Sequence, residues 1–452
     1  MRLRKTITTI VATAILLAGW QLFAVIANQP ELIPSLPRLV RTLCEWLVSG
    51  SFYQSVGATI LRGVLGMSIS FVCAIGMAGL FARFEWVYEL FRPLLAIMRS
   101  IPVISFILLA LIFLNPESIP LMIAFLTMFP LLTENLTRGI LDLRPGLSIM
   151  ARQFHIRRSN VLFQIIYPQL KPFLYSGLAS ATGFGWRAII MGEVLSQCAF
   201  GIGSEMKRAQ NFIAVPELLA WTIVAVFISF FFDKGISKVA DITPKISFAN
   251  EDQTIPTPTL SVLDTKDISY QYGIQHFSHS FQKGIIYGIS APSGKGKTTL
   301  LNLIGGILLP TEGEIHPTRH FGIATIFQQP QLLPYLTAEE NIILPLSSFL
   351  TEEKARRIAQ KHLQEMEMEP FGNRYPKELS DGQQQRIAIA RALAYPSPLL
   401  LMDEPFKGLD EALSHRIIER IREKQMKEER IILFTSHNPD EIRLLADEVI
   451  YL

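Results

Sequence analysis

Apolar residues are unevenly distributed along the 452-residue chain. Through residue 240 they gather in long stretches near 6–27, 56–82, 93–114, 119–138, 172–197 and 216–233. Each is close to the roughly 20 residues a helix needs to cross a bilayer, so six spanning helices are predicted. From 241 to 259 the chain reads DITPKISFANEDQTIPTPT, polar and rich in Pro and Thr, which predicts an extended tether. Beyond 260 short apolar runs at 285–289, 321–327, 398–402, 430–435 and 448–452 alternate with helical patterns. That alternation predicts a largely parallel α/β sheet with helices on its faces. The expected fold is a membrane all-α domain over 1–240, a linker over 241–259 and an α/β domain over 260–452.

Composition sharpens this division. The chain is 49% hydrophobic, too apolar for a typical soluble enzyme of its length. Through residue 240 there are 20 Lys/Arg against 11 Asp/Glu, and after it 22 against 28. Positive charge beside apolar spans reads as membrane topology, with no nucleic-acid partner implied. Arg2, Arg4 and Lys5 precede the first span, Arg83 and Arg92 lie between the second and third, and Arg144, Arg152, Arg157, Arg158 and Lys171 between the fourth and fifth. The opposite loops hold fewer, such as Arg38, Arg41, Lys207 and Arg208. The positive-inside bias puts the N-terminus, the 139–171 loop and everything after 234 in the cytoplasm. The first apolar run is longer than a usual signal core, so a retained helix is expected. Cys44, Cys73 and Cys198 are scattered without metal-like spacing and read as packing residues.

The 139–171 loop is too long for a plain turn and is apolar at helical spacing through Leu147, Met150, Ala151 and Phe154. A short amphipathic helix able to dock on a partner surface is predicted, with a helix lying on lipid headgroups as its rival. Charged residues within the spans are few, and Arg187 and Glu193 stand out. An intramembrane arginine faces a cavity or a partner. Arg187 either attracts an anionic solute or pairs with Glu193 or another span.

The strongest chemical signal is APSGKGKTT, Ala291–Thr299, between an apolar strand and an apolar helix at 300–309. Backbone N–H groups of Ser293, Gly294, Lys295, Gly296 and Thr299 would cradle phosphate, Lys297 would reach its outer oxygens, and Thr298 would hold Mg²⁺. Ala291 stands where the usual pattern has its first glycine, and would resist a positive φ if one were needed. Downstream, LLLMDEP ends a strand in Asp403 and Glu404, at the sheet edge where ligands bind. Asp403 would hold Mg²⁺ through water and Glu404 would polarise the attacking water. Gln328 in IFQQP would sense Mg²⁺ and the γ-phosphate, and His437 in LFTSHNPDE would contact the γ-phosphate. Glu404, His437 and Gln328 are thus the candidate catalytic residues, with Thr298, Gln328 and Asp403 at the metal.

LSDGQQQR, Leu379–Arg386, opens a helix whose N-terminus can face phosphate. With this run included, residues 260–452 resemble ABC-transporter ATPases throughout. The resemblance implies that two ATPs are sandwiched head to tail between two such domains. Ser380, Gly382 and Gln383 would then complete the opposite site, Asp410 would lie at the seam, and Tyr272 would stack on adenine. Asp381 departs from the family's glycine, and its charge would slow closure on ATP. The Tyr272–Ala291 interval is short for the family, and the sequence ends directly after its final strand, so no appended regulatory domain is expected.

Residues 50–240 resemble the permease of binding-protein-dependent ABC importers through NLTRGI, MARQF, FQIIYP and GWRAIIMGEVL. The similar group is the nitrate/sulfonate/taurine type, whose relatives also carry pyrimidine vitamin precursors and riboflavin, and RSIPVISFILLALIFL fits it. Ile149 and His155 stand where the family has Glu and Gly, and His155 reads as a turn residue. What the resemblance implies is a multi-pass protein of the cytoplasmic membrane. It would use ATP and Mg²⁺, pair with a second copy or a paralogous fused subunit, and receive solute from a separate extracytoplasmic binding protein. The alternatives are an exporter half-transporter and a non-transporting regulator. Exporters carry long cytoplasmic helical stalks, and the longest cytoplasmic loop here is too short for them. The retained Lys297, Asp403, Glu404 and His437 disfavour the regulator.

Overall fold

The computed structural model describes residues 2–240, 244–253, 260–271, 273–292, 294–317 and 322–452. The chain divides into two compact units, Met1–Leu143 with Gln169–Thr243, and Arg144–Pro168 with Pro244–Leu452. The division differs from the linear expectation, because the segment 144–168 leaves the apolar half and belongs to the α/β unit.

The first unit is helical: α1 (Arg2–Ala27), α2 (Leu36–Trp46), α3 (Gly50–Arg83), α4 (Glu85–Ser100), α5 (Val103–Phe113) and α6 (Ile119–Leu141). After the 144–168 excursion, which holds α7 (Pro145–Gln153) and α8 (Arg158–Asn160), it resumes with α9 (Tyr167–Ser196), α10 (Ile202–Asn211) and α11 (Val215–Ala240). Helix α3 buries a stripe of small residues, Ser55, Thr59, Gly63, Gly66, Ser70, Ala74 and Ala78, at three- and four-residue spacing. Small side chains let helix backbones approach where lipid supplies no hydrophobic drive. A Cβ on Gly66 would sit 2.6 Å from the Ala124 Cβ of α6, and one on Gly63 would sit 2.8 Å from the Trp186 ring of α9.

By length and composition, Gly50–Arg83, Pro116–Leu141 and Val215–Lys238 are able to cross a membrane. The stretch 93–114, expected as one span, is instead two helices, α4 and α5, bent by 95°. Pro102 causes the break. It lacks an N–H and drives Ile101 into extended backbone, with ψ at 130°. The apolar part of α1, Val11–Ala27, is shorter, and α9 is 30 residues long but carries Lys171, Arg187 and Glu193.

Glu193 does not pair with Arg187. Its fully buried carboxylate accepts from Arg62 Nη1 at 2.7 Å, from Thr59 Oγ1 at 2.9 Å and from the Gly203 amide at 2.9 Å. Arg62 also reaches Glu117 at 2.6 Å and the Phe200 carbonyl at 2.8 Å, so one ionic node ties α3, α9, α10 and the Pro116–Ser118 turn before α6 together. Gly201 keeps this node compact, since a Cβ there would lie 2.6 Å from the Glu193 carboxyl carbon. Arg187 is exposed and has no ion pair among the described residues.

The second unit has two sheets. β1 (Val262–Tyr270), β2 (Ile274–Gln282) and β4 (Glu312–His316) form an antiparallel sheet ordered β2-β1-β4. β3 (Ile286–Ser290), β5 (Ala324–Ile326), β6 (Leu399–Asp403), β7 (Ile431–Thr435) and β8 (Glu448–Tyr451) form a parallel sheet ordered β5-β6-β7-β3-β8. The antiparallel sheet has no counterpart among the apolar runs, because β1 and β2 alternate apolar with Asp, Lys, His and Ser. Helices α12 (Lys297–Ile304), α13 (Ala338–Leu346), α14 (Glu352–Glu365), α15 (Asp381–Ala394), α16 (Glu411–Glu428) and α17 (Pro439–Leu445) complete it. α12 is shorter than the apolar run through 309 suggested.

Segment 144–168 is core here. Leu147, Met150, Ala151, Phe154, Ile156 and Ile165 share one buried cluster with residues of α13, α15 and the parallel sheet. Phe154 is wholly buried, edge-on to Tyr395 at 5.1 Å and 5.4 Å beneath the Arg391 guanidinium. The Gln153 side-chain amide donates to the Gly305 carbonyl at 2.8 Å, and its backbone carbonyl accepts from the Ile323 amide at 2.7 Å. Residues 244–253 form neither helix nor strand, yet they are not a free tether. Ile246 and Phe248 pack on that same cluster, and Asn160 brackets Ser247 with hydrogen bonds of 2.8 and 2.9 Å. Asp252 accepts from the Thr351 amide at 2.9 Å.

The glycine stripe gives the first prediction. Gly66→Val forces a side chain into α6 and costs about 1–3 kcal/mol of stability, as overpacking does. Gly57→Ala, where nothing lies within 4 Å, does not lower the unfolding temperature in detergent, because alanine is the better helix former. Equal unfolding temperatures for the two variants would remove the close-approach argument.

Candidate nucleotide site

The loop between β3 and α12 turns on two glycines in the left-handed region, Gly294 at φ 81° and Gly296 at φ 91°. Gly296 caps α12, and a Cβ on it would lie 2.6 Å from the Gly273 carbonyl. Ala291 has no positive φ, so its methyl carries no strain. Lys297 is buried, its Nζ donating to the Ala291 carbonyl at 2.7 Å. Thr299 and the exposed Lys295 and Thr298 occupy the same turn. Ser293 and Tyr272, both expected to contact nucleotide, lie outside the described residues.

Asp403 ends β6 on the parallel sheet. Thr298 Oγ1 donates to its Oδ2 at 2.9 Å and Thr435 Oγ1 to its Oδ1 at 2.7 Å. Thr298, Gln328 and Asp403, the three expected metal residues, line one cavity of about 280 Å³ together with Asn302, Thr325 and Gln331. A hydroxyl, an amide and a carboxylate suit Mg²⁺, which takes oxygen ligands and completes its shell with phosphate and water. The donor set fits that ion.

Glu404 adopts φ 47°, uncommon for a residue with a side chain. Its amide donates to Thr435 Oγ1 at 3.0 Å, which secures the turn out of the strand. The turn carries the side chain to His437, whose Nε2 lies 3.0 Å from Glu404 Oε1. On its other side the imidazole Nδ1 is 3.5 Å from Lys297 Nζ. Lysine only donates, so Nδ1 accepts and Nε2 carries the proton toward Glu404. Lys297, His437 and Glu404 are thus brought into one chain of contacts around the loop.

The LSDGQQQR run forms the start of α15. Ser380 caps it reciprocally with Gln383, through Gln383 N to Ser380 Oγ at 3.3 Å and Ser380 N to Gln383 Oε1 at 2.9 Å. Gly382 lies against Gly408, where a Cβ would meet the Gly408 carbonyl at 2.6 Å. Asp410 caps α16 by accepting from the Leu413 amide at 2.9 Å. Ser380, Gly382, Gln383 and Asp410 do not line the cavity that holds Thr298 and Asp403.

Sequence reasoning missed three residues. Thr435 holds both Asp403 and Glu404, yet a threonine ending an apolar strand carries no signal of its own. Arg391 is fully buried and gives the Pro330 and Gln331 carbonyls bonds of 2.8 and 2.9 Å. Burial pulls its pKa down to about 9. Gln331, at φ 44°, presses its side-chain oxygen against Gly146 of α7, where a Cβ would be only 2.4 Å away. Ile149 also lines the Asp403 cavity, and His155 ends the α7 turn at φ 46°. Burial lowers the His155 pKa.

Two family patterns match the chain. "ABC transporter" covers residues 274–407, and "Binding-protein-dependent transport system inner membrane component" covers 68–233. An ABC transporter ATP-binding protein of Methanocaldococcus jannaschii is 34% identical over 201 residues, 40% of this chain and 85% of that protein. The chain belongs to the ABC transporter family. An Fe(3+) ions import ATP-binding protein of Rhizobium etli is 35% identical over 40% of this chain, and the chain spans 54% of that relative's length. Similarity also extends to a solved ATP-binding cassette in a dimeric post-hydrolysis state with ADP and Pi. It is 32% identical, covers 42% of this chain and 94% of that one, and has a TM-score of 0.40. The chain is therefore an inner-membrane, multi-pass permease fused to a cytoplasmic ABC ATPase domain, and the ATPase is a transport ATPase.

Two substitutions separate the roles in this ABC ATPase. A general-base role for Glu404 predicts that Glu404→Gln lowers ATP turnover by about 10²–10⁴-fold and keeps nucleotide binding, read from steady-state ATPase and nucleotide titration. Thr435→Val keeps the shape but removes two hydrogen bonds from the Asp403–Glu404 turn. It raises the Mg²⁺ concentration needed for half-maximal ATPase several-fold, read from Mg²⁺ titrations of the purified protein.

Proposed function

We propose that the chain is the fused half of an ATP-driven importer, with two copies or a paralogous pair forming the working assembly. Each half accepts solute from a separate extracytoplasmic binding protein. The observation that carries the reading is the burial of segment 144–168 in the α/β unit, on the wall of the cavity that holds Thr298, Gln328 and Asp403. A membrane protein that places its cytoplasmic loop there links nucleotide state to its spans. The Rhizobium etli relative is an iron import ATP-binding protein, and it and the binding-protein-dependent family of the permease both support this direction.

In the proposed cycle Gln328, Thr298 and Asp403 hold Mg²⁺, which neutralises charge on the phosphates when bound. Lys297 binds the outer phosphate oxygens, Glu404 orients and deprotonates water, and His437 positions Glu404. The Ser380–Gln383 turn and Asp410 lie away from this cavity, as they must if they complete the site of the other copy. Six spans remain the proposed topology, with α4 and α5 counted as one broken span and α1 and α9 as spans.

The solute class we propose is a small anion or heterocycle, of the nitrate, sulfonate, taurine or vitamin-precursor kind. Arg187, exposed on α9 and without an ion pair among the described residues, supports an anionic solute. In proteoliposomes loaded with ATP and supplied with the cognate binding protein, uptake should require both. ATP-driven efflux without binding protein would overturn import. Arg187→Gln should raise the transport KM for an anionic solute at least tenfold, and an unchanged KM would remove it from the pathway. Asp381, exposed in the first turn of α15, would stand near the partner's ATP. Asp381→Gly should raise ATP turnover, because it removes a carboxylate repelled by phosphate, and no rise would sink that assignment.

A further inference from the structure

The α/β unit contains a second cavity of about 380 Å³, a volume within the range of ligand sites. It lies where the end of α7 meets the loop that leaves α12. Ile149 and Ile307 line both this cavity and the one holding Thr298 and Asp403. None of the residues assigned to nucleotide or metal lines it.

Its walls differ in chemistry. Leu303, Ile307, Leu308, Ile315 and Ile323 give an apolar side, and Leu309 beside them is 80% exposed. The end of α7 supplies the polar side through Arg152 and His155, and no Asp or Glu is among the described lining residues. Arg152 is exposed and has no ion pair or side-chain hydrogen bond among the described residues. His155 holds φ at 46°, uncommon for a residue with a side chain and a conformation that gathers at ligand sites. Burial keeps its imidazole below the usual pKa, so near pH 7 it is uncharged and offers one N–H. Arg152 is then the one permanent cation among the described lining residues.

The other polar groups of the wall are already engaged. The Gln153 side chain donates to the Gly305 carbonyl at 2.8 Å and accepts from Thr325 Oγ1 at 3.4 Å. The amides of Gly305, Gly306, Ile307 and Leu308 donate to the carbonyls of Leu301, Leu303 and Asn302 at 2.7 to 3.2 Å. The loop therefore offers no free nest of amides, the feature that suits phosphate. What is left for a ligand is one guanidinium, one imidazole N–H and an apolar wall. A single carboxylate satisfies the two donors, the guanidinium gripping it through parallel N–H bonds. A hydrocarbon body gains by covering the leucines and isoleucines.

We infer that this cavity binds a small organic monocarboxylate, its carboxylate held by Arg152 and His155 and its apolar body lying against Leu308 and Ile315. The bound molecule bridges α7 and the loop after α12, the helix that opens at Lys297. The inference concerns the α/β unit alone and stands whatever solute the chain carries.

The test uses the full chain in phosphatidylcholine nanodiscs, with hydrocinnamate as the probe and its amide as the uncharged counterpart. Binding is read by titration calorimetry, corrected for empty nanodiscs, with and without saturating Mg²⁺ and ADP. Wild type should bind the carboxylate at least tenfold more tightly than the amide, under both conditions. Arg152→Gln should abolish that preference and raise the carboxylate Kd at least about tenfold, as loss of a hydrogen bond to a charged group does. His155→Gly suits a positive φ better and should raise the Kd severalfold without a lower unfolding temperature. Arg158→Gln changes an exposed arginine of the same segment that does not line the cavity, and should leave the Kd unchanged. No preference for the carboxylate in wild type, or equal Kd values for wild type and Arg152→Gln, would overturn the site. An equal loss with Arg158→Gln would reduce it to general attraction by a basic surface. Binding abolished by Mg²⁺ and ADP would move the probe to the phosphate cavity and overturn it too, and displacement by equimolar inorganic phosphate would overturn the ligand class.

Discussion

A guanidinium buried without a carboxylate beside it organises the α/β unit. Arg391 sits on α15, fully enclosed, and its charge is answered by two backbone carbonyls and the face of Phe154. Burying an ion costs several kcal/mol unless its surroundings are arranged for it. Three elements must therefore keep their positions together: the helix opened by Ser380, the Pro330–Gln331 turn that follows Gln328, and the 144–168 segment that carries Phe154. Moving any of them exposes or strands the charge. The contact makes these parts respond as one, which is a requirement for linking phosphate chemistry to a membrane helix.

Around that anchor, the nucleotide site is a set of short-range constraints. Thr435 fixes Asp403 and the Glu404 amide from a neighbouring strand. The parallel sheet sets the spacing between β6 and β7, and the two hydroxyls on Asp403 come from β7 and from α12. Glu404 accepts an uncommon backbone conformation there, as residues at functional sites often do. Its strain is held by the hydrogen bond to Thr435 and rewarded by the position beside His437.

The permease unit uses different physics. With lipid outside, its helices associate through close approach and polar contacts rather than through hydrophobic drive. The small-residue face of α3 supplies the first, and the Arg62–Glu193–Glu117 node supplies the second. The node uses Glu193, one of the partners the sequence offered Arg187. That choice leaves Arg187 exposed on α9.

The sequence by itself determined what is local. Span-length apolar runs, strand-length runs between helical patterns, and the order of the APSGKGKTT, IFQQP, LLLMDEP and SHNPDE segments all depend on neighbours within a few residues. Spacing predicted an apolar helical half and an α/β half, and singled out Lys297, Thr298, Asp403, Glu404, Gln328 and His437 as candidates for one site. Tertiary structure decided whatever depends on distant partners. It took 144–168 out of the apolar half, because that segment's apolar face finds its match on the α/β core. It laid 244–253 along the same core, since Ile246 and Phe248 have places to bury there. It gave Glu193 to Arg62, 131 residues away in the chain. It assigned Thr435 and Arg391 their roles, which no spacing rule reveals because a buried hydrogen bond is a property of both ends.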